Sequence, residues 1–333
     1  MLPGKPTILS RGTACMLAMG LMTVAAFPAI AKPVNFLFDA PGATATGAVA
    51  VNAQGWVVGN YSDAQHTWHG FLRTPDGIIT TVDPAGARDS TVSSINDAGT
   101  IAGAYRDESF TPHIFTLSSE GTWSSFEIPG ATDIFDAYIN ASGVLAGTYT
   151  DRSNKQYGYV RAVDGTIAQI SFSTDTRVTA INAQGAVVGM VSNNFDSIAF
   201  VRAPDGNMTT FQIDGVSPTL ASDINSAGTV VGLYEDSNDH LIAKGYVRAP
   251  DGTITTVTVP GASGQDCVAI NDKGLVIGSS WRKSVNHETG FVRKRNGTLK
   301  RVAIVGYFIN LSRINASGAI IGTAGGHALL RTP

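Results

Sequence analysis

Cysteine is nearly absent: the chain has 2 in 333 residues. Cys15 falls in the first 31 residues and Cys267 in "DCVAIN", so a chain cut after Ala31 keeps one thiol and forms no internal disulfide. A domain of this size buries enough surface to hold together without one, even outside the cytoplasm. In an expected strand, Cys267 reads as a small buried hydrophobe rather than a nucleophile. Charge is sparse at 15 %, and no Lys/Arg-rich run occurs. That excludes the electrostatic footprint of a nucleic-acid or anionic-membrane binder. Long apolar runs are missing too, apart from Ala14 to Phe27. This run follows Lys5 and Arg11, ends at Pro28 and leads to the small residues Ala29 and Ala31. It has the order of a secretory signal peptide and is shorter than the ~20 residues a membrane span needs. Residues 1–31 are expected to be removed on export, to the periplasm or beyond, leaving 32–333 as one domain. That domain carries 21 Lys and Arg against 26 Asp and Glu, a net charge near −5. No Gly-x-Ser-x-Gly element, phosphate-cradling loop or metal-ligand spacing is present, so no cofactor is expected.

What the chain does have is glycine, 37 residues of it, in a repeating frame. Asn-x-x-Gly-x-x-x-Gly occurs seven times, with the Asn at Asn52, Asn96, Asn140, Asn182, Asn225, Asn271 and Asn315. The intervals are 44, 44, 42, 43, 46 and 44 residues. Each copy reads as four strands: a short one ending at the Asn, a second from the first Gly, a third such as "HGFLR" or "YGYVR", and a fourth after a "PDG", "VDG" or "RNG" turn. Runs such as Val57-Val58 are apolar on both faces, so each sheet is covered on both sides. Four-stranded sheets repeating every ~40–45 residues describe a β-propeller. The last copy stops after its third strand, "HALLRTP", and the mature N-terminus opens with an unmatched fourth strand, "PVNFLFDAPGAT". The expected fold is thus all-β: a seven-bladed propeller of antiparallel blades, closed by the N-terminal strand completing the last one.

The Asn-x-x-Gly core followed by "HGF" (His69 to Phe71), "HIF" (His113 to Phe115) and "HAL" (His327 to Leu329) resembles the HAF-repeat family of bacterial exported repeat proteins. Other copies depart from it, with "YGY", "IAF", "KGY" and "TGF". The resemblance covers the whole mature chain. It implies export and a propeller, and no particular activity.

The recurring residues read as structural. The Asn should close a turn by accepting from backbone N–H groups two residues on. The second Gly, inside a strand, implies a close approach. The aromatic of the third strand (Phe71, Phe115, Tyr159, Phe200, Tyr246, Phe291, and Leu329 in the last copy) is expected to lie over it. Arg73, Arg161, Arg202, Arg248, Arg293 and Arg331 should bond near the following turn or between blades. His69, His113 and His327 fall at equivalent places in adjacent blades, too far apart to converge on one metal. Asp63, Asp107, Asp151 and Asp236 suit Asx-turns better than calcium loops.

Function is expected where the repeat breaks, near the central channel on the face holding the fourth-to-first and second-to-third connections. The candidate ligand-binding residues there are Trp68, Arg88, Asp89, Asp133, Asp136, Asp175, Arg177, Asp223, Asp266, Tyr307 and Arg313. Mixed carboxylates, arginines and aromatics suit a polar ligand, with a glycan, a peptide or another exported protein as partner of a monomeric binding or scaffold protein. The alternative is an exported lyase or hydrolase acting on glycans, with Asp136 and Asp175, or Asp266 and Arg313, as the acid–base pair.

Overall fold

Each Asn-x-x-Gly folds into the same hairpin turn. In the first copy Asn52 N–H donates to Trp56 O at 3.1 Å and Gly55 N–H to Asn52 O at 3.0 Å. Gly55 has φ of 84°, a left-handed conformation that glycine adopts without steric cost. The computed structural model describes residues 33–193, 196–215, 217–235, 242–282 and 287–333. The expected signal peptide and Asp236 lie outside these. Among the described residues no helix is long and apolar enough to cross a membrane.

The strands form seven antiparallel sheets, each a four-stranded meander. Blade 1 runs Ala45–Val51, Val57–Ser62, Trp68–Arg73 and Ile79–Val82. Blades 2 to 6 repeat this order, except that the first strands of blades 3 and 6 are each broken into two short pieces. Blade 7 takes Ile309–Ile314, Ile320–Ala324 and His327–Arg331 from the C-terminal end and Asn35–Phe38 from the N-terminal end. Asn35 pairs with Arg331 and Phe38 with Ala328, which closes the ring. Each of the seven apolar clusters sits at one blade–blade boundary. One joins Val57 and Phe71 of blade 1 to Ile321 and Leu330 of blade 7, and another joins Ala269 of blade 6 to Leu311 and Leu329 of blade 7. Because both faces of every sheet are buried against a neighbour, the strands read as apolar runs rather than alternations.

The repeat asparagines do more than close turns. Asn52 Oδ1 accepts from Trp56 N–H at 2.9 Å, four residues on, and the i+4 bond recurs in all seven copies. The expected bond two residues on occurs as an addition in some, as from Ala227 to Asn225 at 3.1 Å. Each side-chain amide also donates to the backbone carbonyl of the next blade's Asn. Asn52 reaches Asn96 O at 3.3 Å, and the series runs through Asn140, Asn182, Asn225, Asn271 and Asn315 back to Asn52 O at 2.8 Å. Seven side chains buried to 8 % exposure or less thus make a closed belt around the axis.

The second glycine is a close-approach site, as expected. A Cβ on Gly189 would stand 2.0 Å from Arg177 O and 2.7 Å from the Phe200 ring. Phe200 lies directly across from it in the next strand. Arg73, Arg202 and Arg248 bond near the following turn, and Arg73, Arg161 and Arg248 stack between blades. Arg73 donates to Thr74 O at 3.2 Å and sits 4.9 Å from the Phe38 ring centre of the preceding blade. Arg161 on Phe126 and Arg248 on Phe211 repeat the stack.

In several blades the connections on the expected binding face are tight turns, not the longer variable loops that a binding face suggests. Residues 87–90, 131–134 and 175–177 belong to first strands and not to loops. The connections before the first two are tight turns, with Gly86 and Gly130 at φ of 78° and 83°. The second-to-third connections of blades 1 to 3 are also tight. Asp63, Asp107 and Asp151 take the Asn's place, their Oδ1 atoms accepting from N–H groups two and four residues on. His66, Phe110 and Asn154 occupy the left-handed position, at φ near 64°. The carboxylate substitutes for the carboxamide, which hid the identity of the two turns.

Asn225→Ala would strand the Thr229 N–H and leave the Asn271 carbonyl with only its turn bond from Gly274 N–H. It should cost about 1–3 kcal/mol. Gly189→Ala should cost about 3 kcal/mol through overpacking. Urea denaturation checks both, and a loss under about 0.5 kcal/mol for Asn225→Ala would remove the belt's energetic role.

Candidate functional site

The sequence candidates separate into three groups. Trp68, Arg88, Asp89 and Asp133 come together on the rim of blades 1 to 3. Two adjoining cavities of about 270 and 450 Å³ share Trp68, Asp89 and Arg106. Asp133 and Phe135 line the first, and His66 and Arg88 the second. Trp68 opens the third strand of blade 1 and is 49 % exposed; Phe135 is 42 % and Phe110 57 % exposed. Arg106 Nη2 lies 2.8 Å from Asp133 Oδ1, an ion pair between blades 2 and 3. Arg88 stacks 4.3 Å from the Phe110 ring centre. The stack holds the guanidinium in place.

Sequence reasoning missed Arg106 and Phe110. Arg106 stands three residues after the second Gly, where the other blades have Ser62, Thr150, Ser192, Glu235, Trp281 and Gly325, so nothing in the repeat singles it out. Phe110 is a bulky residue in a left-handed turn position where blades 1 and 3 have His66 and Asn154, and that departure was the available signal.

Asp136, Arg177, Asp223 and Arg313 converge instead inside the channel. Arg313 reaches from blade 7 to donate from Nη2 to Thr179 O of blade 4 at 3.3 Å. Its guanidinium lies 5.8 Å from the ring centre of Tyr138 in blade 3. Asp223 accepts from Ile224 N–H at 3.0 Å and from Ile270 N–H of blade 6 at 2.9 Å. Burial pushes the Asp223 carboxyl up, against the pull of Arg313. Burial likewise raises Asp136, against Arg177, Tyr138 and Arg313, and Asp136 Oδ2 is buried with no hydrogen-bond partner. The Tyr138 phenol is raised by burial and by Asp136. Two carboxyls and two guanidinium groups thus offset one another's charge, and Arg313 is the side chain that bridges to the opposite blade.

The remaining candidates are tied into the frame. Asp175 Oδ1 accepts from Gln156 N–H at 2.9 Å, linking blades 3 and 4. Asp266 Oδ1 accepts from Ser279 N–H at 2.6 Å within blade 6. Tyr307 leans over Gly325 and packs edge-on to His327, ring centres 6.3 Å apart. Trp281, near the end of the second strand of blade 6, packs against Gly264. The histidines pair separately. His69 meets Asp83 at 2.7 Å, His113 meets Asp107 at 3.1 Å, and His327 meets Asp39 at 2.8 Å. Among the described residues no three His, Cys, Asp or Glu side chains are placed to share a metal ion. Cys267 is buried, and burial raises its thiol.

Neither a protein-family model nor a curated protein sequence matches the chain. Solved structures do match in fold. A catalytically inactive virginiamycin B lyase from Staphylococcus aureus, solved with quinupristin, aligns with a TM-score of 0.63 and 14 % identity, over 91 % of this chain and 100 % of that one. A streptogramin B lyase aligns at 0.62 and 11 %, over 90 % and 97 %. An oligogalacturonate lyase in complex with manganese aligns at 0.60 and 13 %, over 90 % and 97 %. At such identities the likeness shows the seven-bladed fold and nothing of the chemistry.

Because burial raises Asp136 in the folded state, the folded chain holds that proton more tightly than the unfolded chain. The stabilisation is fully present below the ordinary value of 3.8 and is lost as pH rises through the raised folded value. Asp136→Asn should therefore flatten part of the fall in stability from about pH 4 towards neutrality. Asp223 supplies a second contribution of the same sign. Urea denaturation across that range is the measurement; an unchanged slope would mean that Arg177 and Arg313 keep Asp136 ionised throughout.

Proposed function

We propose that the protein is an exported, non-catalytic binding propeller of the HAF-repeat type. It takes a polar ligand, a glycan or a peptide, in the rim cleft of blades 1 to 3. The observation that carries this reading is the half-exposed Trp68 set among Arg88, Arg106, Asp89 and Asp133. An exposed indole offers a flat apolar face to a sugar ring or an aromatic side chain. The charged groups around it supply oriented hydrogen bonds. The cleft is open, which suits recognition better than chemistry that must exclude water. A glycan-cleaving reading would draw on Asp136, Asp175, Asp266 and Arg313. Asp175 and Asp266 accept from backbone N–H groups, and Arg313 braces the channel, so these groups are engaged in holding the fold.

The test is a glycan and peptide array probed with residues 32–333 beside Trp68→Ala and Arg88→Ala. Each variant should keep the thermal midpoint of the parent. Each should lose about tenfold or more in affinity for the ligand found. A specific ligand bound equally by both variants would move the site off the rim.

A further inference from the structure

Blade 6 contains a cavity of about 310 Å³ beside the end of blade 5. Blades 1 to 3 fill the equivalent space with two rings, whereas blade 4 has Val191 and Ile198 there and blade 5 Tyr234 and Lys244. Two residues after the second Gly, and two before the third-strand aromatic, blade 1 carries Tyr61 and His69, directly paired and stacked with ring centres 5.0 Å apart. Blade 2 carries Tyr105 and His113, stacked at 4.7 Å, and blade 3 Tyr149 and Tyr157, at 5.5 Å. In blade 7 the small Ala324 is offset by Tyr307, which leans in beside His327. Blade 6 has Ser280 and Thr289 at these positions, hydroxyls 3.3 Å apart, so the two rings are missing and the cavity results.

The polar end of the missing ring is also defined by the repeat. In three blades the Tyr hydroxyl at this position meets the fourth-strand residue paired with the third-strand aromatic. Tyr61 meets Thr81 at 3.1 Å, Tyr149 meets Gln169 at 2.8 Å and Tyr234 meets Thr256 at 3.0 Å. In blade 6 that residue is Arg301, which pairs with Phe291. Arg282 and Lys300 line the same cavity with Arg301, and no carboxylate does so among the described residues. The other walls are apolar: Val259, Pro260, Phe291 and Leu299. A slot with apolar walls and the Arg301 guanidinium at its polar end, with Arg282 also on its lining, selects an anion attached to a flat ring.

We propose that this cavity is a binding site for a small aromatic carboxylate. The ring takes the place that Tyr61 fills in blade 1, and the carboxylate meets Arg301. The site lies in blade 6, lined by none of the rim residues, and is independent of the ligand bound there.

The probe is benzoate, with benzamide as its uncharged counterpart, titrated into residues 32–333 by ligand-observed NMR and calorimetry. Benzoate should bind saturably with a Kd of about 1 mM or tighter, and benzamide about tenfold more weakly. Ser280→Tyr, which installs the residue of blade 1, should abolish binding of both. Arg301→Gln, which installs the residue type of blade 3, should weaken benzoate about tenfold and leave benzamide unchanged. Because Arg301 is exposed, that variant keeps the test available even if Ser280→Tyr fails to fold. Absence of saturable benzoate binding by the parent up to about 10 mM would overturn the proposal. So would benzoate affinity unaltered by Ser280→Tyr in a folded protein, or by Arg301→Gln.

Discussion

The belt of seven asparagines is the constraint on which the rest of the structure is hung. A carboxamide two bonds from the backbone is a donor and an acceptor at once. The acceptor end closes the hairpin within a blade, as Asn182 does with Ala186 at 2.9 Å. The donor end binds the carbonyl of the next blade, as Asn182 does with Asn225 at 3.0 Å. Aspartate lacks the donor, glutamine is a methylene too long, and serine is too short to span both. The belt therefore sets blade spacing at the axis, and its last bond, Asn315 to Asn52, joins blade 7 to blade 1, while further out the N-terminal strand closes the ring inside blade 7.

Working outward from the belt, each layer depends on the one inside it. The glycines after the turns let a first-strand carbonyl and a third-strand ring crowd the same point, which tolerates no Cβ. The rings that lie over them fill the seven boundary cores, such as Phe71 against Ile321 and Leu330. Arginines two residues beyond the rings stack on aromatics of the preceding blade, as Arg161 does on Phe126. Most of the buried area is thus shared between blades. No single blade could bury its own faces, which is why the closing strand matters.

Regularity of this kind turns the molecule into its own reference. A Ser280–Thr289 pair is unremarkable alone; beside Tyr61–His69 and Tyr105–His113 it marks two absent rings. Phe110 stands out against His66 and Asn154 of the neighbouring blades in the same way. Departures from the repeat thus carry three different outcomes here. Some open a surface cleft at the rim, some leave a slot in blade 6, and some, such as Arg313 and Asp223, brace the channel.

The sequence by itself determined blade number, strand order, turn type, the glycine–aromatic crossing and the way the termini join. All of these rest on short-range contacts or on spacing along the chain, and seven copies average out accident. It also marked which residues break the pattern. Only the tertiary structure decided what those breaks do. Asp136, Arg177, Asp223 and Arg313 come from four blades and Trp68, Arg88 and Asp133 from three, so whether they meet depends on the curvature of the ring and the tilt of each strand. Asp175 and Asp266 looked equally available in sequence, yet Gln156 N–H and Ser279 N–H already occupy them. The donor half of the asparagine belt was hidden for the same reason: its partner lies one blade away, over forty residues along the chain, and no local pattern records which carbonyl will be in reach.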